Sequence, residues 1–283
     1  MEDTYACVHD LLAGIEDLYP TIEGPVLPCT YYAVFDGHGG KECSTFLAEH
    51  LHNILRKAMM NRKRRLIDTT TLAETVTQCI KEAFVEADEL FQRSFPEQCD
   101  LCGATAVVVL IIGNRLFCAN LGDARAVLCR QGKAINLSVD HKANREDEQE
   151  RIKGDGGYIV FGRVLGRLAI TRAFGDFDCK NVEVENNDIK SFILNDPEIR
   201  EATLDPFTDE FLLMGSDGLY DKYSSQEAVN VVRKKLADMP MMEQDPQQVA
   251  AEVVREILDK RMVSDNITVI IATFNRGIEI MCE

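Results

Sequence analysis

Apolar positions recur along this chain with two different periods. Between residues 42 and 60, Leu47, Leu51, Ile54, Leu55 and Ala58 return every three or four positions, which predicts an amphipathic helix with one core-facing stripe. A second helix is predicted over 71–94, opened by a Thr71/Glu74 capping box and turning Leu72, Val76, Ile80, Phe84, Ala87 and Phe91 inward. The basic run Asn61-Arg62-Lys63-Arg64-Arg65 between them reads as a solvated inter-helix loop. Elsewhere short β-prone runs dominate. Thr4–Val8 and residues 31–35 come first, separated by a linker punctuated with Gly14, Pro20, Gly24, Pro25 and Pro28. Residues 103–112, 115–121, 125–130 and 134–139 follow, divided by Gly113-Asn114, Gly122-Asp123 and Gln131-Gly132-Lys133, and predict an antiparallel meander.

Residues 144–153 predict a polar helix stopped by Gly154 and Gly156-Gly157, and a hairpin is expected over 158–170. Residues 177–195 are polar and aperiodic and read as a mobile flap. A buried strand then ends in Gly215-Ser216-Asp217-Gly218. Two more helices follow, one capped by Ser224/Glu227 and one by Asp245 with Pro246 in its first turn. Ser264-Asp265-Asn266 introduces a closing strand over 267–274. Strands, two helices, strands, two helices and a last strand predict an α+β fold of antiparallel sheets covered by helices, in one domain over 1–283, in place of regular βαβ alternation.

Composition narrows the function classes. With 283 residues and 46% hydrophobic content the chain can bury a sizeable core. A formal charge of -16 disfavours nucleic acid or an anionic membrane as the main partner, since both demand a basic face. No apolar run approaches bilayer-crossing length. The ten cysteines are scattered through hydrophobic runs, as at Cys79, Cys118 and Cys129, and no secretory leader is expected ahead of them. Reduced thiols in a cytoplasmic or nuclear protein are expected. Cys99-x-x-Cys102 has no second pair to complete a zinc site and reads as a loop-to-strand boundary. No element shows an extra apolar face, so a monomer is expected.

The candidate chemistry begins at Tyr31-Tyr32-Ala33-Val34-Phe35-Asp36-Gly37-His38-Gly39-Gly40, where an apolar strand ends abruptly in an acid, a histidine and glycines. Glycines permit positive φ and close backbone approach, so the Gly37 carbonyl is itself a candidate ligand. An Asp-Gly pair after a strand is also an ordinary turn, but the device recurs at Asp217-Gly218. Glu2, Asp3, Asp36, Asp123, Asp217 and Asp265 all sit where a strand begins or ends. Gathered at adjoining ends they would repel strongly unless cations neutralised them. An all-oxygen donor set favours Mg²⁺ or Mn²⁺ over zinc. Two such ions with a water between them are a route to phosphoester hydrolysis, and His38 is placed to protonate the departing alkoxide. Ser216 is a poor nucleophile candidate because Gly215 precedes it directly, unlike the spacing of a nucleophile elbow. No Walker sequence is present.

Met1-Glu2-Asp3, Val34-Phe35-Asp36-Gly37-His38-Gly39-Gly40, Cys102-Gly103-Ala104-Thr105-Ala106, Asn120-Leu121-Gly122-Asp123-Ala124-Arg125 and Asp140-His141-Lys142 form the first half of an ordered series. It continues through Leu168-Ala169-Ile170-Thr171-Arg172-Ala173-Phe174-Gly175-Asp176, Asp196-Pro197-Glu198, Ser216-Asp217-Gly218-Leu219-Tyr220-Asp221 and Ser264-Asp265-Asn266-Ile267-Thr268. In these stretches the chain resembles the metal-dependent protein serine/threonine phosphatases of type 2C over almost all its length. The resemblance implies a β-sandwich of two antiparallel sheets with helices on both outer faces and a metal cleft at one edge, acting on phosphorylated proteins. It implies that Asp36 bridges two Mn²⁺ or Mg²⁺ ions, that Glu2 and the Gly37 carbonyl serve one, and that Asp217 and Asp265 serve the other. Asp3 would hold water on the metals, Asp123 with Asp217 would form a weaker third-metal position, and His38 matches the proposed general acid.

The family motif also places a phosphate-binding arginine a few residues before the Glu-Asp pair, a position that Met1 leaves without a counterpart. The expectation is a chain shortened at its N-terminus, lacking that arginine and the first strand of the fold. It would bind metal but turn over phosphopeptides weakly, having lost on the order of 2 to 4 kcal/mol of phosphate binding. Arg172 reads as structural. A pseudophosphatase acting as a binding module is the alternative, favoured by the missing arginine and opposed by the six acids. A metal-dependent phosphodiesterase or nuclease is disfavoured by the acidic balance.

Overall fold

Apolar runs with no polar face must be covered on both sides, and here they are covered by two sheets packed on each other with helices outside. The computed structural model describes residues 1–13, 29–63, 72–184, 188–240, 244–260 and 265–274. In chain order the elements are β1 (Thr4–Val8), β2 (Cys29–Phe35), β3 (Gly37–His38), α1 (Glu42–Lys63), α2 (Leu72–Ser94), β4 (Gly103–Ala104), β5 (Ala106–Ile112), β6 (Arg115–Leu121), β7 (Arg125–Arg130), β8 (Lys133–Asn136) and α3 (Glu146–Gly154). They continue with β9 (Ile159–Val160), β10 (Arg163–Val164), β11 (Phe174–Gly175), α4 (Phe177–Lys180), β12 (Val182–Glu183), β13 (Ile189–Lys190), β14 (Glu198–Thr203), β15 (Asp209–Gly215), α5 (Asp217–Tyr220), α6 (Ser225–Ala237), α7 (Pro246–Lys260) and β16 (Val269–Thr273). One sheet has the order β1-β2-β5-β6-β14 and the other β16-β15-β7-β8, with every neighbouring pair antiparallel.

Side-chain alternation assigns each strand face to a layer. On β2, Tyr31, Ala33 and Phe35 join the cluster beneath α1 and α2, while Val34 faces the opposite sheet. On β15, Phe211 and Leu213 pack under α6 and α7, while Leu212 and Met214 meet Val107, Val109, Leu116 and Cys118 between the sheets. The result is the expected order of helices, sheet, sheet, helices. Each large apolar side chain fully withdrawn from water contributes about 1.5–3 kcal/mol, so Phe84 and Phe91 of α2 and Leu47, Leu51 and Leu55 of α1 anchor their helices. The capping box of α6 is present, with the Glu227 N–H donating to Ser224 Oγ at 3.3 Å and the Ser224 N–H to Glu227 Oε2 at 2.8 Å. At the start of α7, Asp245 Oδ1 accepts the Gln247 N–H at 2.9 Å. Among the described residues no helix is long and apolar enough to cross a membrane.

The structure differs from the local reading in four places. The meander is broken: β5 pairs with β6 and β7 with β8, but Gly122-Asp123 carries the chain from one sheet to the other. With both faces of β6 and β7 buried, local alternation could not tell which sheet each joins. Secondly, α1 runs on through Asn61, Arg62 and Lys63, and Arg62 clasps α2 by donating to both carboxylate oxygens of Glu82. Thirdly, β14, an edge strand with the half-exposed pattern Glu-Ile-Arg-Glu-Ala-Thr, lacks the apolar run by which strands were recognised. Fourthly, the polar stretch 177–195 contains α4, β12 and β13, and Phe177, Cys179, Phe192 and Ile193 are buried. Cys179, Phe192 and Ile193 close a small separate cluster with Ile152, Val164 and Ile170. The 14–28 linker, Arg64, Arg65 and Thr71 of the expected capping box lie outside the described residues.

Candidate metal centre

The sandwich brings the end of β2 against the end of β15. The Asp217 N–H donates to Asp36 Oδ2 at 3.4 Å, across 181 positions of chain. Asp123 arrives at the same place from the crossover between sheets, and carboxylate oxygens of Asp36, Asp123 and Asp217 lie within 4.8 Å of one another. The Asp36 carbonyl is held by the Thr105 N–H at 2.9 Å. The three-stranded ribbon β11-β4-β3 then continues past it and carries His38.

Both Asp-Gly pairs need glycine for room. A Cβ on Gly37 would stand 2.4 Å from the Glu2 carbonyl oxygen, and one on Gly218 would stand 2.0 Å from that of Asn266. Gly39 and Gly40 take positive φ, at 67° and 137°, but Gly37 does not, so close approach and not backbone freedom explains it. Through these two notches the segments bearing the remaining acids slide in against the aspartate turns. Asn266 stitches them together: its Oδ1 accepts the N–H of Glu2 at 2.6 Å and of Asp3 at 3.4 Å. Glu2 Oε1 accepts the Gly40 N–H at 2.8 Å, and its carbonyl accepts the Ser44 hydroxyl. Buried Asp3 accepts from Thr268 Oγ1 at 3.0 Å. Asp265 is exposed, accepts the Asn266 N–H at 2.8 Å, and lies near enough for its charge to raise Asp3 and Asp217. Asp36, Asp123 and Asp217 thus gather at one point, Asp3 and Asp265 stand near enough to act on them by charge, and the Glu2 carboxylate is held beside the Asp36 turn by the Gly40 N–H.

Their crowding shows in their protonation. Burial first, then the charges of Asp3, Asp217 and Asp123, push the Asp36 carboxyl up to about 9. Burial followed by Asp123, Asp265 and Asp221 pushes Asp217 up to about 7. Asp3 and Asp123 are also raised, mainly by burial, and at Asp123 the ammonium of Lys142 opposes the shift. Lys142 Nζ sits 3.4 Å from Asp123 Oδ2 and 3.7 Å from Asp221 Oδ1. Oxygen donors that hold protons this far above their ordinary range fit hard divalent cations, which would replace those protons, and the absence of thiolate or imidazole from the trio disfavours a soft metal.

His38 Nε2 lies 2.7 Å from Asp176 Oδ2. Burial works against the imidazolium, but the hydrogen bond and charge of Asp176 outweigh it and raise His38 above its ordinary value. The Gly122-Asp123 corner has its own clasp. The Gly122 N–H donates to His141 Nδ1 at 3.1 Å while the backbone N–H of His141 donates to the Gly122 carbonyl at 2.9 Å. His141, buried, is pushed down to about 4 by desolvation and then by Arg172, so it stays neutral with Nδ1 free to accept. Arg172 itself donates to Glu148 Oε1 from Nε at 2.8 Å and to the Asp196 carbonyl from Nη1 at 2.7 Å, a structural engagement. Ser216 is fully buried and accepts the Thr268 N–H at 3.1 Å.

Sequence reading assigned no part to Asn266, Ser44, Lys142, Asp176 or Asp221. For Asp221 a signal existed, since it stands four positions after Asp217, one helical turn away. For the others nothing in their spacing marks a link, because their partners are remote in the chain.

A model of the family described as Protein phosphatase 2C matches residues 7–267. Probable protein phosphatase 2C 13 of Arabidopsis thaliana is 38% identical over 276 residues, covering 97% of this chain and 68% of that protein. Probable protein phosphatase 2C 47 of Oryza sativa subsp. japonica is 37% identical over 278 residues, covering 97% and 66%. The chain thus spans about two thirds of the length of these relatives. Among solved structures, a C. elegans sex determining protein matches with a TM-score of 0.76 at 24% identity, covering 97% of this chain and 61% of that one. The serine-threonine phosphatase 2C from Toxoplasma gondii matches with a TM-score of 0.72 at 19% identity, covering 97% and 90%. At these identities the structural likeness speaks for the fold.

Proposed function

Because the chain belongs to the protein phosphatase 2C family, whose members are metal-dependent serine/threonine phosphatases, we propose that it hydrolyses phosphoserine and phosphothreonine in proteins at a binuclear Mn²⁺ or Mg²⁺ centre. The observation that carries this reading is the meeting of Asp36, Asp123 and Asp217 within 4.8 Å, from two different sheets and the crossover between them. Asp36, whose carboxyl is pressed by the charges of Asp3, Asp217 and Asp123, would be a ligand common to the two ions. Glu2, the Gly37 carbonyl, Asp217 and Asp265 would hold the ions with it, Asp3 would hold water on them, and Asp123 with Asp217 would offer a weaker third position. When bound, the ions would offset the carboxylate charge, draw electron density from the phosphoryl oxygens and acidify the attacking water. The chain's own residues do the rest. Buried Asp3 and the Asn266 stitch hold the acids at fixed separations, and His38 supplies a proton to the departing serine or threonine oxygen.

The test is Mn²⁺-dependent release of phosphate from a phosphothreonine peptide, with Asp217→Asn as the control and a labelled oligonucleotide assayed beside it. Hydrolysis of the peptide alone, abolished by the substitution, is expected. Tight Mn²⁺ binding without turnover would mark a binding module, and turnover surviving in Asp217→Asn would overturn the ligand assignment.

A further inference from the structure

Four features of the fold converge on one contact, that between His38 and Asp176. The carboxylate is buried and the imidazole partly open, with side-chain exposures of 3% and 28%. Asp176 sits at φ 53° and ψ 42°, a left-handed conformation that residues other than glycine seldom adopt unless their surroundings hold them there. The turn is held there by neighbours. The Asp176 N–H donates to the Cys102 carbonyl at 3.2 Å, the Gly175 N–H donates to Asp88 Oδ1 at 2.8 Å, and Lys180 Nζ donates to Asp88 Oδ2 at 2.5 Å. Gly103 supplies the slot: a Cβ there would lie 2.3 Å from Asp176 Oδ2 and 2.6 Å from His38 Nε2. A buried carboxylate, a left-handed turn, the hydrogen bonds that hold that turn and a vacant side-chain position thus leave one carboxylate oxygen aimed at one ring nitrogen.

We infer that Asp176 is the positioning residue of the general acid: it accepts the Nε2–H of His38, fixes the ring plane, and leaves Nδ1–H as the proton given to the leaving group. This rests on the phosphatase reading above. In the step so served, the water oxygen bonds to phosphorus and the ester P–O bond breaks. Its electron pair stays on the serine or threonine oxygen, which takes the Nδ1 proton. The ring becomes neutral while still donating Nε2–H to Asp176, and the proton shed by the attacking water restores it.

Leaving-group dependence separates positioning from mere structural support. p-Nitrophenolate departs without a proton, whereas a threonine alkoxide needs one. In Asp176→Asn, kcat on a phosphothreonine peptide is expected to fall by about 10- to 100-fold, while kcat on p-nitrophenyl phosphate changes by less than about threefold. His38→Gln should show the same split, and the double variant should be no worse than His38→Gln alone. Gly103→Ala, which intrudes on the contact without altering either residue, should reproduce the split in milder form. Should Asp176→Asn fail to fold, the nitrogen chemical shifts of the His38 ring in the wild-type protein decide the pairing, with a proton resident on Nε2 expected and a bare Nε2 overturning it. Equal losses on both substrates, or additive losses in the double variant, overturn the inference. A His38→Gln enzyme with no split overturns it too, yet leaves the phosphatase reading standing if Asp217→Asn still abolishes Mn²⁺-dependent hydrolysis.

Discussion

The side-chain oxygen of Asn266 accepts the backbone N–H of Glu2 at 2.6 Å, joining two residues 264 positions apart. This bond, with Gly218 tucked beneath the Asn266 carbonyl, fixes where the first acids of the chain stand relative to the last. Asn266→Ala removes the acceptor and leaves the Glu2 and Asp3 amides unmatched. Mn²⁺ affinity, read by calorimetry, should weaken by about tenfold or more, as for other groups that orient metal ligands. Stability should fall by only about 1 kcal/mol.

Gly218→Ala tests the same closeness without touching a polar group. The new Cβ would stand 2.0 Å from the Asn266 oxygen, so the 265–268 segment must move away. Mn²⁺ binding is expected to weaken by at least about tenfold although every acid remains. Unchanged affinity would show that the acids do not depend on this approach.

Asp36→Asn should trade function for stability. It keeps the shape of a side chain whose charge the fold opposes by burial and by three neighbouring acids. In chelator at pH 7.5 the variant should melt about 2–5 °C above the wild type, while Mn²⁺-dependent hydrolysis is lost. A lower melting temperature in chelator would mean that the cluster is not strained by its own charge.

Metal stabilisation should grow with pH. Asp36 moves from 3.8 to about 9 and Asp217 from 3.8 to about 7 on folding, so the metal-free folded chain retains protons that the unfolded chain releases above pH 4. For groups raised in this direction the associated stability is complete below the unfolded value and is lost as pH climbs through 7 and then 9. Divalent ions take the place of those protons. The rise in melting temperature on adding Mn²⁺ to chelator-treated protein should therefore be larger at pH 8.5 than at pH 6.0, and the reverse order would contradict the assignment of the shifts.

Lys180→Met should leave Asp88 buried without its cation. A loss of about 3–5 kcal/mol is expected in denaturant melts, because the uncompensated charge costs more than the pair contributes. Adding Asp88→Asn to Lys180→Met keeps an acceptor for the Gly175 N–H and should restore part of that loss.

Much of the framework is written locally. The stripes of α1 and α2 are legible because one face of each helix must be apolar. The residue ranges of β6 and β7 are legible because Gly113-Asn114 and Gly122-Asp123 interrupt apolar runs. The capping box of α6 is a matter of two residues three apart. Even the chemistry of the centre has a local trace, since an acid and a glycine at the end of a buried strand occur in both Asp36-Gly37 and Asp217-Gly218.

What the sequence alone determined is thus the period of each element, its punctuation and the type of donor at each strand end. Only the tertiary structure decided that Gly122 carries β7 into the other sheet, that Asn266 meets Glu2, and that a buried carboxylate at Asp176 faces His38. The physical reason is range. Periodicity and turn chemistry act over a few residues, whereas these contacts follow from which apolar faces cover one another and how closely two backbones can approach at a glycine. No window of sequence contains both sides of such a contact.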